Sequence, residues 1–283
     1  MSFSSQLAGS LLALDNQDMK KKPPIKVQDH AEAVASRLIE TFCLGTRMEK
    51  IQPQPPRTHD FDLLDSNDHI VAAVEVTVSL DEEAKHTNSR IRRNGAAKTK
   101  LSKKDWWIQT EPGADIKAIG SKADEYLAAI EAGRIERFFG PIDWRRPSVG
   151  RIFRDLRVYS GSVMRWKDPG YILIDLRGGG GRVRAHTVVE AALREADNNR
   201  KKLAAANANQ GHLVVYVDPT NYLPWRALLD SEPPPEAPQL PTAITDMWIF
   251  TETGFAHEYV AWHTSTHSAW RRIGPLELID QNK

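Results

Sequence analysis

Two alternating segments, separated by a turn-forming tetrad, constrain the fold of this chain more than any other feature. The apolar residues that alternate along them are Phe61, Leu63, Val74, Val76 and Val78. Between the segments lies Ser66-Asn67-Asp68-His69, whose residue types favour a tight turn. Because strand side chains alternate between two faces, the pattern predicts a β-hairpin over residues 59–79 with one apolar face.

The register of this hairpin decides which polar residues meet on its other face. A two-residue turn at Asn67-Asp68 places Asp60 opposite Glu75, and Thr58 opposite Thr77. Directly opposed side chains lie about 5 Å apart at Cβ, and like charges there are destabilising. A divalent cation such as Mg²⁺, which takes one or two carboxylates, would relieve that repulsion. Alternatively, the two carboxylates lie on a solvated face with Arg or Lys partners.

Helical and strand patterns flank the hairpin in a definite order. Apolar residues at helical spacing predict a helix over 29–42, with Asp29 as its N-cap. A second long helix is predicted over 187–208, and a buried strand over 213–217. The order is therefore helix, hairpin, a long interval, helix and strand.

The hairpin, His59-Asp60-Phe61-Asp62 followed by Val74-Glu75-Val76-Thr77, resembles the PD-(D/E)XK nuclease superfamily. The resemblance implies an α/β (α+β) fold of restriction-endonuclease-like type, a mixed sheet flanked by helices with a large inserted subdomain. It also implies that Asp60 and Glu75 hold Mg²⁺ or Mn²⁺. The chain departs from the motif at two positions, since His59 replaces the proline and Thr77 replaces the lysine.

The resemblance allows the missing lysine to come from the following helix. Glu195, Asn199 and Lys202 share one face of that helix, because they are spaced i, i+4 and i+7. Lys202 is thus the candidate for the displaced lysine, and Glu195 is a candidate third metal ligand. The catalytic set implied in this way is Asp60, Glu75 and Lys202; a plain exposed Lys202 is the alternative.

The interval between hairpin and second helix has a distinct composition. Residues 84–104 contain eight basic residues and no acid. Arg90, Arg92, Arg93, Lys98 and Lys100 are the residues of this run predicted to contact nucleic acid. A solvated or disordered insertion is the alternative. Trp106 and Trp107, which follow, either stack on bases or belong to a core. The domains expected are a flexible arm (1–27), a nuclease-like core (28–80 and 185–283), and a basic, Arg-rich insertion (81–184).

Overall charge and cysteine content exclude several classes of protein. With 38 basic and 37 acidic residues the chain has no global signal for binding polyanions, and one cysteine, Cys43, permits no internal disulfide. No apolar run is long enough for a membrane span, so we expect a cytoplasmic protein.

The sequence thus predicts a metal-dependent nuclease acting on DNA, in defence or repair. A catalytically inactive module of the same fold that binds nucleic acid or a protein partner is the alternative. A third hypothesis is an interaction protein that uses its eight tryptophans. DNA as the partner is preferred to RNA, and a homodimer stays open.

Overall fold

A computed structural model describes residues 27–52, 59–139, 153–164, 170–176, 184–206, 208–255 and 257–278. These residues form two mixed β-sheets with α-helices packed on them, which confirms the predicted α+β class. The predicted arm up to residue 26, and Thr58 in the predicted hairpin, lie outside the described residues.

The first sheet has seven strands in the spatial order β1-β2-β3-β9-β10-β11-β12. The central strands β3, β9 and β10 are parallel, and the outer strands are antiparallel to their neighbours. Its strands are β1 Arg47–Lys50, β2 Phe61–Leu64, β3 Ile70–Ser79, β9 Gly211–Val217, β10 Asp246–Glu252, β11 Glu258–Ser265 and β12 Ser268–Glu277. Parallel strands need a crossover connection, and the chain supplies it through the second sheet and a long helix between β3 and β9.

Helices cover both faces of this sheet. Helix α1 (Val27–Phe42) packs its apolar side against one face, where Phe61, Val74 and Val214 are buried. Helices α4 (Ala185–Ala205) and α5 (Tyr222–Asp230) cover the other face. The predicted helices over 29–42 and 187–208 are therefore present, and the apolar stripe of each faces the sheet as its period requires. The predicted N-cap was wrong, because Asp29 lies within the first turn of α1.

The hairpin of β2 and β3 has a different turn from the predicted one. A three-residue loop, Ser66–Asp68, joins Asp65 to His69, and Asp68 adopts a left-handed backbone with φ of 64°. The two-residue turn at Asn67-Asp68 was therefore wrong. The loop shifts the pairing by one residue, and a bulge near Val71 shifts it back. Phe61 consequently pairs with Val74, as predicted.

The second sheet is formed within the predicted insertion. Its spatial order is β4-β8-β5-β7-β6, with β5 parallel to β8 and the other pairs antiparallel. Its strands are β4 Ala96–Lys98, β5 Asp105–Thr110, β6 Arg137–Phe139, β7 Val158–Met164 and β8 Tyr171–Leu176. Helix α3 (Ile116–Ala132) packs on one face, over Trp106, Ile108 and Ile172.

The basic run 84–104 is ordered, so the alternative of a disordered insertion was wrong. Helix α2 (Glu82–Asn94) begins at Asp81, whose carboxylate accepts a hydrogen bond from the Ala84 amide. Strand β4 and a loop follow. Three consecutive backbone amides of that loop, from Lys100 to Ser102, donate to the Asp124 carboxylate. The structured run can therefore present its basic side chains in fixed positions.

Gly211, the first residue of β9, packs closely against the segment that leads into β10. A Cβ on Gly211 would lie 2.0 Å from the Ala243 carbonyl oxygen, which is a backbone atom. We expect Gly211→Ala to lower the free energy of unfolding by about 1–3 kcal/mol, since overpacking there forces backbone movement. Urea denaturation measures the change. Gly120→Ala is the matched control, because its Cβ would meet only Ala97 at 3.4 Å.

Gly120 lies inside helix α3, where alanine is preferred to glycine. The control should therefore stabilise the protein by about 0.5–1 kcal/mol. Similar effects of the two substitutions would contradict the packing described for Gly211.

None of the described helices combines the length and the apolar character that a membrane span requires.

Candidate active site

The hairpin brings Asp60 and Glu75 to the same region of the first sheet. Asp60 immediately precedes β2, and its Oδ2 accepts a hydrogen bond from the Val76 amide at 2.9 Å. The Asp60 amide donates to the Val74 carbonyl at 3.1 Å. These two bonds fix the Asp60 carboxylate beside the segment of β3 that carries Glu75.

Glu75 lies on a buried face rather than on a solvated one. Its side chain is only 2% exposed, and Oε1 is ion-paired with the Lys202 ammonium. The other oxygen, Oε2, is buried and accepts no hydrogen bond from a described donor; a hydrogen bond between Glu75 and the neighbouring Asp60 carboxylate requires that one of the two be protonated. Glu75 is therefore not solvated, although it has the lysine partner that the alternative of a solvated hairpin face expected. An unpaired buried carboxylate oxygen is costly, so a site of this kind calls for a ligand or a proton.

The protonation equilibrium of Glu75 reflects this environment. Burial, followed by repulsion from the nearby Asp60 carboxylate, raises its pKa from 4.5 to about 7, although Lys202 acts in the opposite direction. Burial also raises the pKa of Asp60, against the lowering effect of the Val76 amide and of Lys202. Two carboxylates that resist ionisation together, with one ammonium beside them, form an electrostatically strained group.

Helix α4 delivers the remaining predicted residues to the same face. Lys202 reaches Glu75, and its side chain keeps 31% of its surface exposed. About two helical turns before Lys202, Glu195 Oε2 accepts a hydrogen bond from Thr77 Oγ1 at 3.3 Å. Asn199 is buried between them and donates to the Glu195 carbonyl. The predicted shared face of Glu195, Asn199 and Lys202 is thus present, and it lies against β3.

Glu195 does not join Asp60 and Glu75 in a metal cluster. Among the residues that the structure describes, no group of three or more His, Cys, Asp or Glu side chains could hold a metal ion. The hydrogen bond to Thr77 accounts for the direction of the Glu195 carboxylate. A metal at this site would accordingly depend on Asp60 and Glu75, with its other ligands coming from water or substrate.

A second set of polar residues, missed by the sequence analysis, approaches from helix α1. Gln28 Nε2 donates to the Val76 carbonyl at 2.9 Å and to Glu32 Oε1 at 3.0 Å. Glu32 is also ion-paired with Lys50 of β1. The charges of Glu32 and Lys50 act on Asp60 with opposite sign, the first raising its pKa and the second lowering it. The sequence offered one signal for Glu32, an acid adjacent to the apolar stripe of α1.

The predicted nucleic-acid-binding residues lie on elements of the insertion and not on the hairpin or α4. Arg90, Arg92 and Arg93 lie on helix α2, Lys98 lies on β4, and Lys100 lies in the loop that follows. All five side chains are exposed. Arg93 is held by Ser89, to which its guanidinium donates two hydrogen bonds.

Comparisons of the chain with protein-family models, with curated proteins and with solved structures find no significant match. The chemistry of the site must therefore be argued from its own residues.

Proposed function

We propose that this protein is a metal-dependent nuclease that hydrolyses DNA phosphodiester bonds, in defence or repair. The observation that carries the proposal is the Glu75 carboxylate. It is buried, lies beside Asp60, is paired with Lys202 through one oxygen, and leaves the other oxygen without a described partner. Perturbed carboxylates with a lysine beside them are typical of catalytic sites.

The residues present fit a hard divalent cation. Asp60 and Glu75 offer oxygen donors only, as Mg²⁺ and Mn²⁺ prefer, and Mg²⁺ commonly uses one or two carboxylates with water and phosphate oxygens. The buried Oε2 of Glu75 is the donor best accounted for by such an ion. When bound, the metal would lower the pKa of a water ligand and stabilise negative charge on the phosphate.

The protein's own groups have separate tasks in this proposal. Asp60, fixed by the Val76 amide, and Glu75 would hold the cation. The Lys202 ammonium, partly exposed, is available to a phosphate oxygen or to the attacking water, and it also limits the repulsion between the carboxylates. Thr77 has neither charge nor basicity, so its hydrogen bond to Glu195 is a positioning contact.

The arrangement of elements also supports the resemblance to PD-(D/E)XK nucleases. Helix α1 precedes the β2–β3 hairpin, and α4 precedes β9, which pairs in parallel with β3. This is the order of elements that the resemblance implies, with the second sheet as the insertion. The restriction-endonuclease-like assignment is part of the proposal.

Cleavage of plasmid DNA tests the function directly. We expect nicking or linearisation that requires Mg²⁺ or Mn²⁺ and stops when EDTA is added, because the carboxylate pair has no role in hydrolysis without a cation. If no cleavage occurs under any divalent ion while DNA is still bound, the protein is the inactive binding module. Thr77 at the lysine position, and the Lys202 ion pair that occupies Glu75 Oε1, favour that second candidate.

The basic face of helix α2 should supply affinity that does not depend on sequence. Replacing Arg90, Arg92 and Arg93 by Gln should reduce the slope of log K against log salt by up to about 2.7, since each phosphate contact contributes about 0.9. Titration of duplex DNA at several salt concentrations measures this slope. The control replaces Arg47 and Arg226, which are already ion-paired with Asp68 and Asp230.

The control should leave the slope within error of wild type. An unchanged slope in the triple variant would show that these arginines do not meet phosphates, and the predicted interface on α2 would be wrong.

A further inference from the structure

The second sheet has an open face that the carboxylate site does not use. Helix α3 buries Trp106 and Ile108 on one face of β5, so that the intervening Trp107 points to the other. On that face Trp107 is 37% exposed, Tyr171 of β8 is 38% exposed, and Phe139 of β6 is 49% exposed. Large aromatic rings left in contact with solvent on one sheet face indicate a binding surface.

The strand register places Trp107 at the middle of this face with short neighbours. Trp107 pairs with Ser162 on β7 and with Leu173 on β8, and Leu173 in turn pairs with Ala96 on β4. Ser162 and Ala96 are too short to cover an indole ring. These short neighbours are consistent with the partial exposure of Trp107.

A cleft of about 390 Å³ lies against Trp107, which is the size of a small-ligand pocket. Trp107 and Leu173 line it from the sheet, and Arg92 and Arg93 line it from the end of helix α2. Both arginines are exposed, and Arg92 has no ion-pair partner among the described residues. Asp175 is the acidic residue of the lining.

An exposed indole ring beside two arginines favours a ligand that is both flat and anionic. An aromatic ring stacks on a nucleobase whatever its identity, and arginines beside it bind the phosphates. Paired bases inside a duplex do not offer their faces to a sheet, whereas unpaired bases do. Helix α2, β4 and the adjoining loop carry the eight basic residues of 84–104, of which Lys85 and Lys104 are ion-paired, and the others complement a phosphate backbone.

We propose that the open face of the second sheet binds an unpaired nucleotide of single-stranded nucleic acid, with its base on Trp107 and its phosphate on Arg92 and Arg93. The inference rests on the proposed function and deepens it, because it adds an unpaired nucleotide to the duplex DNA that the nuclease contacts. Stacking on one aromatic ring contributes about 1–3 kcal/mol per base, which corresponds to a change in Kd of about 5- to 140-fold.

The test measures binding by the full chain, in EDTA so that no cleavage occurs. Fluorescence anisotropy follows a labelled oligodeoxythymidylate of roughly 15 nucleotides and an abasic oligonucleotide with the same number of phosphates. Trp107→Ala should raise the Kd for the first by about 5- to 140-fold and leave the Kd for the abasic strand nearly unchanged. Trp107→Phe, which keeps a ring, should recover part of the affinity.

Phe255→Ala is the matched control, because Phe255 is an exposed aromatic residue, 76% exposed, in the turn between β10 and β11 of the other sheet. It should bind both strands as the wild type does. Equal losses on both strands in Trp107→Ala, or no loss on either, would overturn the proposal. If Trp107→Ala leaves oligonucleotide binding intact but changes self-association in sedimentation, the face is a protein interface instead.

The result of this binding test does not depend on whether the protein cleaves DNA. Binding that depends on Trp107, in a protein that never cuts DNA, would retain this inference and reject the nuclease. Cleavage that depends on Glu75, without any role for Trp107 in binding, would do the reverse.

Discussion

Glu75→Gln is expected to reduce divalent-dependent DNA cleavage by at least about a hundredfold, the usual loss when one preorganised electrostatic group is removed from an active site. The substitution keeps the shape of the side chain but removes its charge, so Asp60 alone would remain to hold the cation. Asp60→Asn should have an effect of similar size. Initial rates of plasmid nicking in saturating Mg²⁺ measure both.

Lys202→Met is expected to lower the rate by a comparable factor for a different reason. It removes the ammonium that is ion-paired with Glu75 and acts on both carboxylates. Lys202→Met keeps both carboxylates that would hold the cation. Raising the Mg²⁺ concentration should therefore restore its activity less than it restores the activity of Glu75→Gln or Asp60→Asn.

Two variants separate these effects from general loss of charge. Lys201→Met changes the neighbouring lysine, which is exposed on α4, and Glu49→Gln changes an exposed acid on β1. Both should cleave at the wild-type rate. Full activity in Glu75→Gln would place the active site elsewhere, whatever the controls show.

The proximity of Asp60 to Glu75 could be predicted because alternation fixes which face a strand residue occupies, although the paired residues of β2 and β3 end at Phe61 and Val74. The detail that could not be predicted is the turn. Residues 70–73, Ile-Val-Ala-Ala, are all apolar, so alternation does not show which of them face the core. The sequence therefore cannot reveal the extra residue at the bulge. The three-residue loop and the bulge offset one another, and the register at Phe61 and Val74 is the predicted one.

Lys202 and Glu195 could be placed because a helical period is unambiguous over two turns. The positions of Glu32 and Lys50 could not be predicted. Strand β1 has four residues, Arg-Met-Glu-Lys, all but Met48 exposed, without the alternation that marks a half-buried strand. Because β1 was not recognised, nothing in the sequence indicated that Lys50 lies beside Glu32. Likewise, the sequence could not show which of Trp106 and Trp107 is buried, because that depends on which face of β5 is covered by α3.

The pH dependence of stability should report on Glu75 before any metal is added. The folded-state pKa of about 7 exceeds the ordinary pKa of a glutamate side chain, 4.5, so between these pH values the native state holds a proton that the unfolded chain has lost. Stability therefore falls as pH rises through this window. A shift of this size corresponds to about 3 kcal/mol, because one pKa unit is about 1.4 kcal/mol.

Glu75→Gln should lack this slope, so the difference between wild type and variant should grow from pH 4.5 to above pH 7. Titrating groups that do not interact with Glu75 cancel in that difference. In Lys202→Met the loss of the nearby positive charge raises the pKa of Glu75 further, and the window should extend to higher pH. Urea denaturation of the three proteins in EDTA at a series of pH values measures these curves.

Divalent metal should reverse the loss at high pH, where Glu75 is ionised. A cation that binds only the folded state adds RT ln(1 + [L]/Kd), about 2.7 kcal/mol at a concentration of 100 Kd. Wild type at pH 8 should thus be stabilised by millimolar Mn²⁺, and Glu75→Gln should lose most of that gain. At pH 5, where the carboxyl group retains its proton, the gain should be small even in wild type. Stabilisation by Mn²⁺ that is equal in wild type and Glu75→Gln, or that is independent of pH, would mean that the metal binds outside the hairpin. The binding module would then be the better account of this fold.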